Sequence, residues 1–299
     1  MWGVSSASVF SSWIAIELNL LFLLPIMAHH SHFYGKFSAV KYFIIQRISG
    51  LLILTVIVLE AQRAAASVWL MVLLGLLFLK LGAAPFYQWV LSIGEHQSWW
   101  VLFVLLTIQK LIPFYFINRL RTPGIMYVSA AAILILPPII ISLKNLKKII
   151  IISSTYLMMG ILIAMAIKTN KWKTLILLYS LTLTPLLGLS GLSSGSRQVP
   201  KTNEESSDQI IWGLLLLNML GMPPLPGFLI KVDIAIRIVT GGLWFLLMVF
   251  QVISVVLIFI YLKIMISKLF STRILRATSS FMGPLFTVLL IMSLRVITL

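Results

Sequence analysis

Four ionisable side chains lie within long apolar stretches of the sequence: Glu17, Lys80, Lys110 and Lys231. A charge near the centre of a membrane-spanning helix costs on the order of 2.5–3.5 kcal/mol to insert, so such residues point to a function. Burial disfavours the charged form of a lysine in general, and a neighbouring carboxylate favours it again. One buried acid and three buried amines could therefore change charge as an ion pair opens and closes, which is the requirement for a proton relay.

Within such a relay, each group has a distinct part. We predict that Glu17 is the gating partner of Lys80, that Lys110 relays the proton and that Lys231 releases it. The competing interpretation is a structural spacer, in which the buried lysines are replaceable. Lysines near helix ends can extend to the membrane surface, but about ten apolar residues flank Lys80 and Lys110 on each side, which is too many for that explanation.

Residues 218–233 read N-M-L-G-M-P-P-L-P-G-F-L-I-K-V-D and lie between two apolar runs. This segment contains five residues that cannot continue a regular helix: Gly221, Pro223, Pro224, Pro226 and Gly227. A helix that breaks at membrane depth needs protein or water around the break, and transporters build ion sites from such breaks. We therefore predict a discontinuous helix that carries Lys231 just after its interruption.

Proline follows or precedes each of the three lysines at short range. A proline inside a helix leaves the carbonyl four residues earlier without its usual amide partner. The prolines are Pro85, Pro113 and Pro226, and the corresponding carbonyls are those of Leu81, Gln109 and Met222. The spacing predicts an acceptor that could hold water beside each lysine.

The composition requires a membrane to position these groups. Of 299 residues, 60% are hydrophobic and only 10% are charged, with a mean hydropathy of +1.08, whereas a soluble domain is roughly 25% charged. We predict an all-α, polytopic transmembrane bundle of about ten helices, two of them discontinuous, that forms a single domain over residues 1–299. The predicted spans are 5–27, 39–60, 67–90, 99–118, 124–143, 149–167, 172–192, 209–240, 242–263 and 281–297, with a polar loop at 193–208.

The charge and the absence of cysteine exclude several classes of function. The net charge is +16, but the basic residues fall mainly in short connectors, which is a signal of membrane topology and not of nucleic-acid binding. Without cysteine there is no thiolate metal site or iron–sulfur ligation. The histidines are His29, His30, His32 and His96, all in predicted connectors, so no electron carrier is assigned to this chain.

Five motifs stand out between Trp13 and Lys231: W-I-A-I-E-L-N-L, K-Y-F-I-I-Q, K-L-G-A-A-P-F-Y-Q-W, T-I-Q-K-L-I-P and G-M-P-P-L-P-G-F-L-I-K. In these motifs the sequence resembles the NADH dehydrogenase subunit 2 family, the mitochondrially encoded antiporter-like subunits of respiratory complex I. By this resemblance, Glu17 is the glutamate of the family's fifth helix and Lys80 the lysine of the first broken helix. Lys110 is then the central relay lysine and Lys231 the lysine of the second broken helix.

The resemblance implies a multi-pass subunit of the mitochondrial inner membrane that translocates protons, driven by electron transfer elsewhere in the complex. It implies that NADH, FMN, the iron–sulfur clusters and ubiquinone are bound by other subunits and that this chain holds no cofactor. The expected partners are other membrane-arm subunits, including neighbouring antiporter-like subunits, and lipids such as cardiolipin.

The sequence departs from the family pattern at several positions. The segment before Trp13 is short, so the helix that usually precedes that of Glu17 is expected to be missing or reduced. Tyr156 stands where the family usually has histidine, and its phenol could pass a proton through water. Tyr87 also replaces a common histidine, and Arg47 stands where small or polar residues are usual; the sequence assigns Arg47 no role.

The alternative function is a free-standing cation/proton antiporter of related ancestry. Such a protein would use the same buried charges but bind sodium or potassium, and cation sites favour carboxylates. Only Glu17 is predicted to be a buried carboxylate, which argues against this alternative. Asp233 is expected to pair with Arg237, four residues later on the same helix face.

Overall fold

The computed structural model describes residues 9–29, 33–61, 66–120, 124–142, 145–167, 172–187, 213, 216–219, 221–223 and 225–271. These residues form helices and no strands, as the sequence predicts. The helices are α1 Val9–His29, α2 Phe33–Ala61, α3 Ala66–Leu81, α4 Gln88–Gly94, α5 Trp99–Leu106, α6 Ile108–Leu120, α7 Gly124–Ser142, α8 Leu146–Ala166, α9 Trp172–Leu183, α10 Pro226–Thr240 and α11 Trp244–Ser271. The predicted loop at 193–208 and last helix at 281–297 lie outside the described residues.

Five described segments are long and apolar enough to cross a membrane: Val9–His29, Tyr34–Leu59, Trp99–Leu120, Leu146–Ala166 and Trp244–Ile264. Three shorter apolar helices, Val68–Leu81, Gly124–Leu136 and Trp172–Leu187, accompany them. An all-α protein with this many apolar spans is a multi-pass membrane protein. The chain divides into two compact units, Met1–Asn170 and Lys171–Leu299; the single domain over residues 1–299 stays a prediction.

In the first unit, the apolar segment of α8 is far more buried than those of α1 and α2. The apolar segment of α8 is 94% buried, whereas that of α1 and that of α2 are each only 33% buried. α1 packs against α2 and α6, α2 against α3 and α4, and α8 against α7 and α4. The outward faces of α1 and α2 carry apolar residues such as Phe22, Ile44 and Ile48, which match the hydrocarbon core of a bilayer.

The predicted span at 67–90 is interrupted, because α3 ends at Leu81. Gly82 follows with φ of +62°, a left-handed conformation that glycine adopts without steric cost. The Gly82 amide donates to the Leu79 carbonyl at 3.0 Å and the Ala83 amide to the Phe78 carbonyl at 3.0 Å. This pair of hydrogen bonds is the Schellman motif, which closes a helix and satisfies its last carbonyls.

Side chains from outside α3 satisfy more of its terminal carbonyls. The indole Nε1 of Trp89 donates to the Leu79 carbonyl at 2.9 Å, and Nε2 of Gln46 donates to the Lys80 carbonyl at 3.3 Å. A broken helix can persist at membrane depth only when its backbone groups find such partners. The helix α3 therefore ends one residue after Lys80, and these hydrogen bonds hold Lys80 at the end of the helix.

The prediction that Pro85 lies inside a helix and frees the Leu81 carbonyl was wrong. Because α3 has already ended at Leu81, Pro85 lies in the turn after the helix and removes no hydrogen bond from it. At Pro113 the proline lies inside α6, so no amide at that position donates to the Gln109 carbonyl. The span at Trp99–Leu120 is also divided at Thr107 into α5 and α6.

The break before Lys231 is organised by Asn218. Its Oδ1 accepts from the Gly227 amide at 2.9 Å, and its Nδ2 donates to the Thr182 carbonyl of α9 at 2.9 Å. Pro226 is the first residue of α10, a position where the missing amide costs nothing. The prediction that Pro226 frees the Met222 carbonyl was wrong, since the Leu225 amide donates to that carbonyl at 2.9 Å.

We expect Gly82→Ala to lower the melting temperature of the protein. Alanine at a left-handed position costs roughly 1–2 kcal/mol, and its Cβ would lie 2.1 Å from Cγ2 of Val90. Gly75→Ala is the matched control, because no atom lies within 4 Å of a Cβ at that position. Alanine there should be neutral or stabilise α3 by up to about 1 kcal/mol. Thermal unfolding of both variants in detergent measures the difference, and equal melting temperatures would contradict it.

Candidate functional site

Glu17 and Lys80 form a buried ion pair, although 63 positions separate them in the sequence. Nζ of Lys80 donates to Oε1 of Glu17 at 3.1 Å, and the two side chains are 1% and 10% exposed, respectively. Glu17 lies on the face of α1 that packs on α2, and Lys80 lies in the last turn of α3. Attraction between opposite charges is stronger in a medium of low dielectric constant than in water. The structure thus brings together the two residues predicted to gate a relay.

Arg47 of α2 is a second cation on the same carboxylate, and sequence reasoning did not find it. Nη1 of Arg47 donates to Oε2 of Glu17 at 2.7 Å. The Arg47 side chain is 46% exposed, so it approaches the carboxylate from the outside of the unit. Its departure from the family pattern was the signal available in the sequence, but only the packing of α1 on α2 reveals the contact.

A cavity of about 20 Å³ connects Lys80 with Lys110 in the first unit. A cavity of this size and polarity has room for a water molecule. Lys110 is 4% exposed and lies in the first turn of α6. The lining residues are Ile16, Asn19, Leu20, Tyr42, Gln46, Lys80, Leu81, Trp89, Leu105, Gln109, Lys110 and Pro113. Lys80 and the predicted relay lysine Lys110 thus line the same cavity.

The Gln109 amide joins three helices at the wall of this cavity. Its Oε1 accepts from Nδ2 of Asn19 on α1 at 2.9 Å and from the Tyr42 hydroxyl on α2 at 3.1 Å. Its Nε2 donates to the Asn19 carbonyl at 3.2 Å. Sequence reasoning missed these residues and Gln46. Each lies one to five residues from a charged position in an apolar run, and that proximity was the signal that could have found them.

Lys231 lies in the second unit, in the first turns of α10. Its Nζ donates to the Met219 carbonyl at 3.2 Å, where residues 216–219 are helical. A cation at the carboxyl end of a helical turn interacts favourably with its terminal carbonyls. A Cβ at Gly221 would lie 3.1 Å from this ammonium group, so the break leaves Lys231 just enough space. The lysine thus bonds to a carbonyl of the helical turn that precedes the interruption.

The remaining predicted residues lie apart from the cavity. Tyr156 is fully buried on α8 and is not among the residues that line the cavity; its part in a relay stays a prediction. Arg237 donates to Asp233 at 2.9 Å, in the predicted i,i+4 pair. Within the described ranges, no group of three or more His, Asp or Glu side chains could hold a metal ion.

Comparisons with known sequences find similar proteins that share one name. No protein-family model matches the chain. The chain is 29% identical over 235 residues to NADH-ubiquinone oxidoreductase chain 2 of Artemia franciscana, covering 76% of this chain and 73% of the relative. It is 26% identical over 285 residues to the protein of the same name from Lumbricus terrestris, covering 89% and 82%.

Two solved structures have similar folds. A chain of respiratory complex I from Thermus thermophilus superposes with a TM-score of 0.78 at 19% identity, covering 98% of this chain and 72% of that one. A chain of the Mrp complex from Dietzia sp. superposes with a TM-score of 0.75 at 16% identity, covering 88% and 57%. By sequence over most of its length and by fold, this chain is therefore a relative of NADH-ubiquinone oxidoreductase chain 2.

Proposed function

We propose that this chain is a proton-translocating subunit in the membrane arm of respiratory complex I, NADH:ubiquinone oxidoreductase. The observation that carries the proposal is the buried Glu17–Lys80 pair, which adjoins a polar cavity that reaches Lys110. The many relatives named NADH-ubiquinone oxidoreductase chain 2 support the same function. The chain contributes proton transfer, and the oxidation of NADH takes place on other subunits.

The proposed step begins when the Glu17–Lys80 contact opens. A buried ammonium group that loses its carboxylate has no compensation for the cost of desolvation, so releasing its proton becomes favourable. The proton leaves Nζ of Lys80 for water in the cavity and is taken up by Nζ of Lys110. Closure of the ion pair then favours reloading of Lys80. Lys231 is the proposed exit group, and Tyr156 is a further proposed relay group.

The proposal also specifies the membrane in which the chain lies and the subunits beside it. We place it in the mitochondrial inner membrane, beside other membrane-arm subunits that include antiporter-like neighbours, with lipids such as cardiolipin at its apolar faces. NADH, FMN, the iron–sulfur clusters and ubiquinone belong to other subunits. The solved structures with this fold come from multi-subunit membrane complexes, which supports such an assembly.

A free-standing cation/proton antiporter is the second candidate, since the fold also occurs in an Mrp complex. The geometry at Glu17 argues against it. Both carboxylate oxygens of Glu17 already accept from cationic side chains, whereas sodium or potassium would need oxygen ligands of its own. The occupied carboxylate supports proton transfer between side chains over cation binding.

Gly50 of α2 leaves the space in which the side chains of Glu17 and Lys80 meet. A Cβ at this position would lie 1.8 Å from Oε1 of Glu17 and 3.1 Å from Nζ of Lys80. The Gly50 carbonyl also accepts from Nε1 of Trp13 at 2.8 Å, which ties α2 to α1. Because any larger side chain would occupy the place of the carboxylate, the ion pair requires glycine at this position.

We expect Glu17→Gln and Lys80→Gln each to reduce proton pumping coupled to NADH oxidation by about 10²-fold, the range for a general acid–base group. The measurement is the initial rate of proton uptake during NADH oxidation by the intact complex in membrane vesicles. Lys263→Gln is the matched control, since Lys263 is exposed on α11. Full pumping by either variant of the pair would exclude the proposed function and favour the structural spacer.

Gln109→Leu should slow pumping by about tenfold or more, because it replaces the polar wall of the cavity with an apolar one that cannot hold water. The exposed Gln88 provides the control, and Gln88→Leu should pump at the normal rate. Comparison of initial pumping rates at equal amounts of assembled complex decides the outcome. Equal rates for the two variants would show that the cavity is not on the proton path.

Gly50→Ala should leave the complex assembled and yet impair pumping. The carboxylate that an added methyl group would displace is the end of a flexible side chain, so it can move without a shift of the backbone, but the ion pair is then lost. Gly75→Ala, with open space around its Cβ, should assemble and pump normally. Pumping assays on both variants, together with the amount of assembled complex, test this; normal pumping by Gly50→Ala would be the contrary result.

A further inference from the structure

Arg47 occupies an unusual position for a charged residue. It lies at the midpoint of α2, which runs from Phe33 to Ala61. At a rise of 1.5 Å per residue, either end of α2 is about 20 Å away, far beyond the reach of an arginine side chain toward the membrane surface. Its neighbours Ile44, Ile48 and Leu51 are exposed apolar residues. A guanidinium group in this setting must therefore be held by the protein, and its contact is with Glu17.

The two cations do not share Glu17 equally. The contact from Arg47 is 2.7 Å and that from Lys80 is 3.1 Å, and charge-assisted hydrogen bonds between nitrogen and oxygen are strongest at about 2.7–2.9 Å. Arginine stays protonated inside proteins, whereas a buried lysine can lose its proton. The carboxylate thus lies between a cation of fixed charge on the outside and a cation of variable charge on the inside.

The charge balance of these three groups depends on Arg47. With Glu17 ionised and both cations protonated, the cluster carries one excess positive charge. When Lys80 gives up its proton, Arg47 and Glu17 remain as a neutral pair. Without Arg47, the opposite state is neutral, because Glu17 would balance a protonated Lys80. An uncompensated charge is costly in a medium of low dielectric constant, so Arg47 determines which protonation state of Lys80 is electroneutral.

We infer that Arg47 is a positioning residue that competes with Lys80 for Glu17 and so favours release of the Lys80 proton into the cavity. This inference rests on the proposed function. In the release step the Nζ–H bond of Lys80 breaks, the proton passes to cavity water toward Lys110, and Glu17 stays a carboxylate bonded to Arg47. Reloading follows when Glu17 moves back toward Lys80.

The test compares Arg47→Met, Arg47→Gln and Arg47→Lys in the intact complex in membrane vesicles. A merely structural arginine on an apolar face should be replaced well by methionine, which is easier to insert into a bilayer. Competition for Glu17 instead requires a cation. We expect Arg47→Met and Arg47→Gln to assemble and to pump about tenfold more slowly, within the range of coupling between charged neighbours. Arg47→Lys should recover a substantial part of the rate.

The control is Ile48→Met, which alters the neighbouring exposed position and should pump normally. Normal pumping by Arg47→Met, or a rate for Arg47→Lys no better than for Arg47→Met, would overturn the inference; Arg47→Gln takes the place of Arg47→Met if the latter does not assemble. Failure of the proposed function has another signature, because Glu17→Gln and Lys80→Gln would then pump normally whatever replaces Arg47.

Discussion

The ion pair between Glu17 and Lys80 is the interaction on which the architecture of the first unit depends. Two charges withdrawn from water repay their desolvation only if they meet in good geometry, and the loss of one leaves the other costly. Three helices must therefore keep fixed positions relative to one another. α1 carries the carboxylate, α3 carries the ammonium group, and α2 carries Gly50, against which the two side chains meet. Function and stability share the same contact, since opening the pair costs free energy and the opened state favours release of the Lys80 proton.

The interruptions of the helices follow from the second constraint of a bilayer, that every backbone polar group needs a partner. At the end of α3, a Schellman motif, an indole and a glutamine amide supply the partners. Before α10, one asparagine bridges the two sides of the break, and the ammonium group of Lys231 bonds to a carbonyl of the helical turn that precedes it. In both units a lysine lies beside an irregular backbone, so the chain uses the same local arrangement to carry a cation at membrane depth.

Much of this site could be predicted from the sequence, because charges stand out against an apolar background. The burial of Glu17, Lys80 and Lys110 was predicted in this way, and so was the break before Lys231; Lys231 itself is only partly buried, and the parts of the four residues in a relay stay predictions. The proline argument failed at Pro85 and Pro226 for a physical reason: a helix had ended before the first proline and began at the second. Arg47, Gln109 and Tyr42 were not assigned, since their roles depend on which faces of α1, α2 and α6 meet, and almost uniformly apolar helices do not specify those faces in sequence.

The small size of the cavity beside Lys110 has a consequence for what can pass through the protein. A space of about 20 Å³ accommodates roughly one water molecule, and a sodium or potassium ion with its hydration shell is several times larger. A proton needs no such space, since it moves by exchange of hydrogen bonds along a file of donors and acceptors. A cavity of this size beside Lys80 and Lys110 therefore suits proton transfer and leaves no room for a hydrated metal ion.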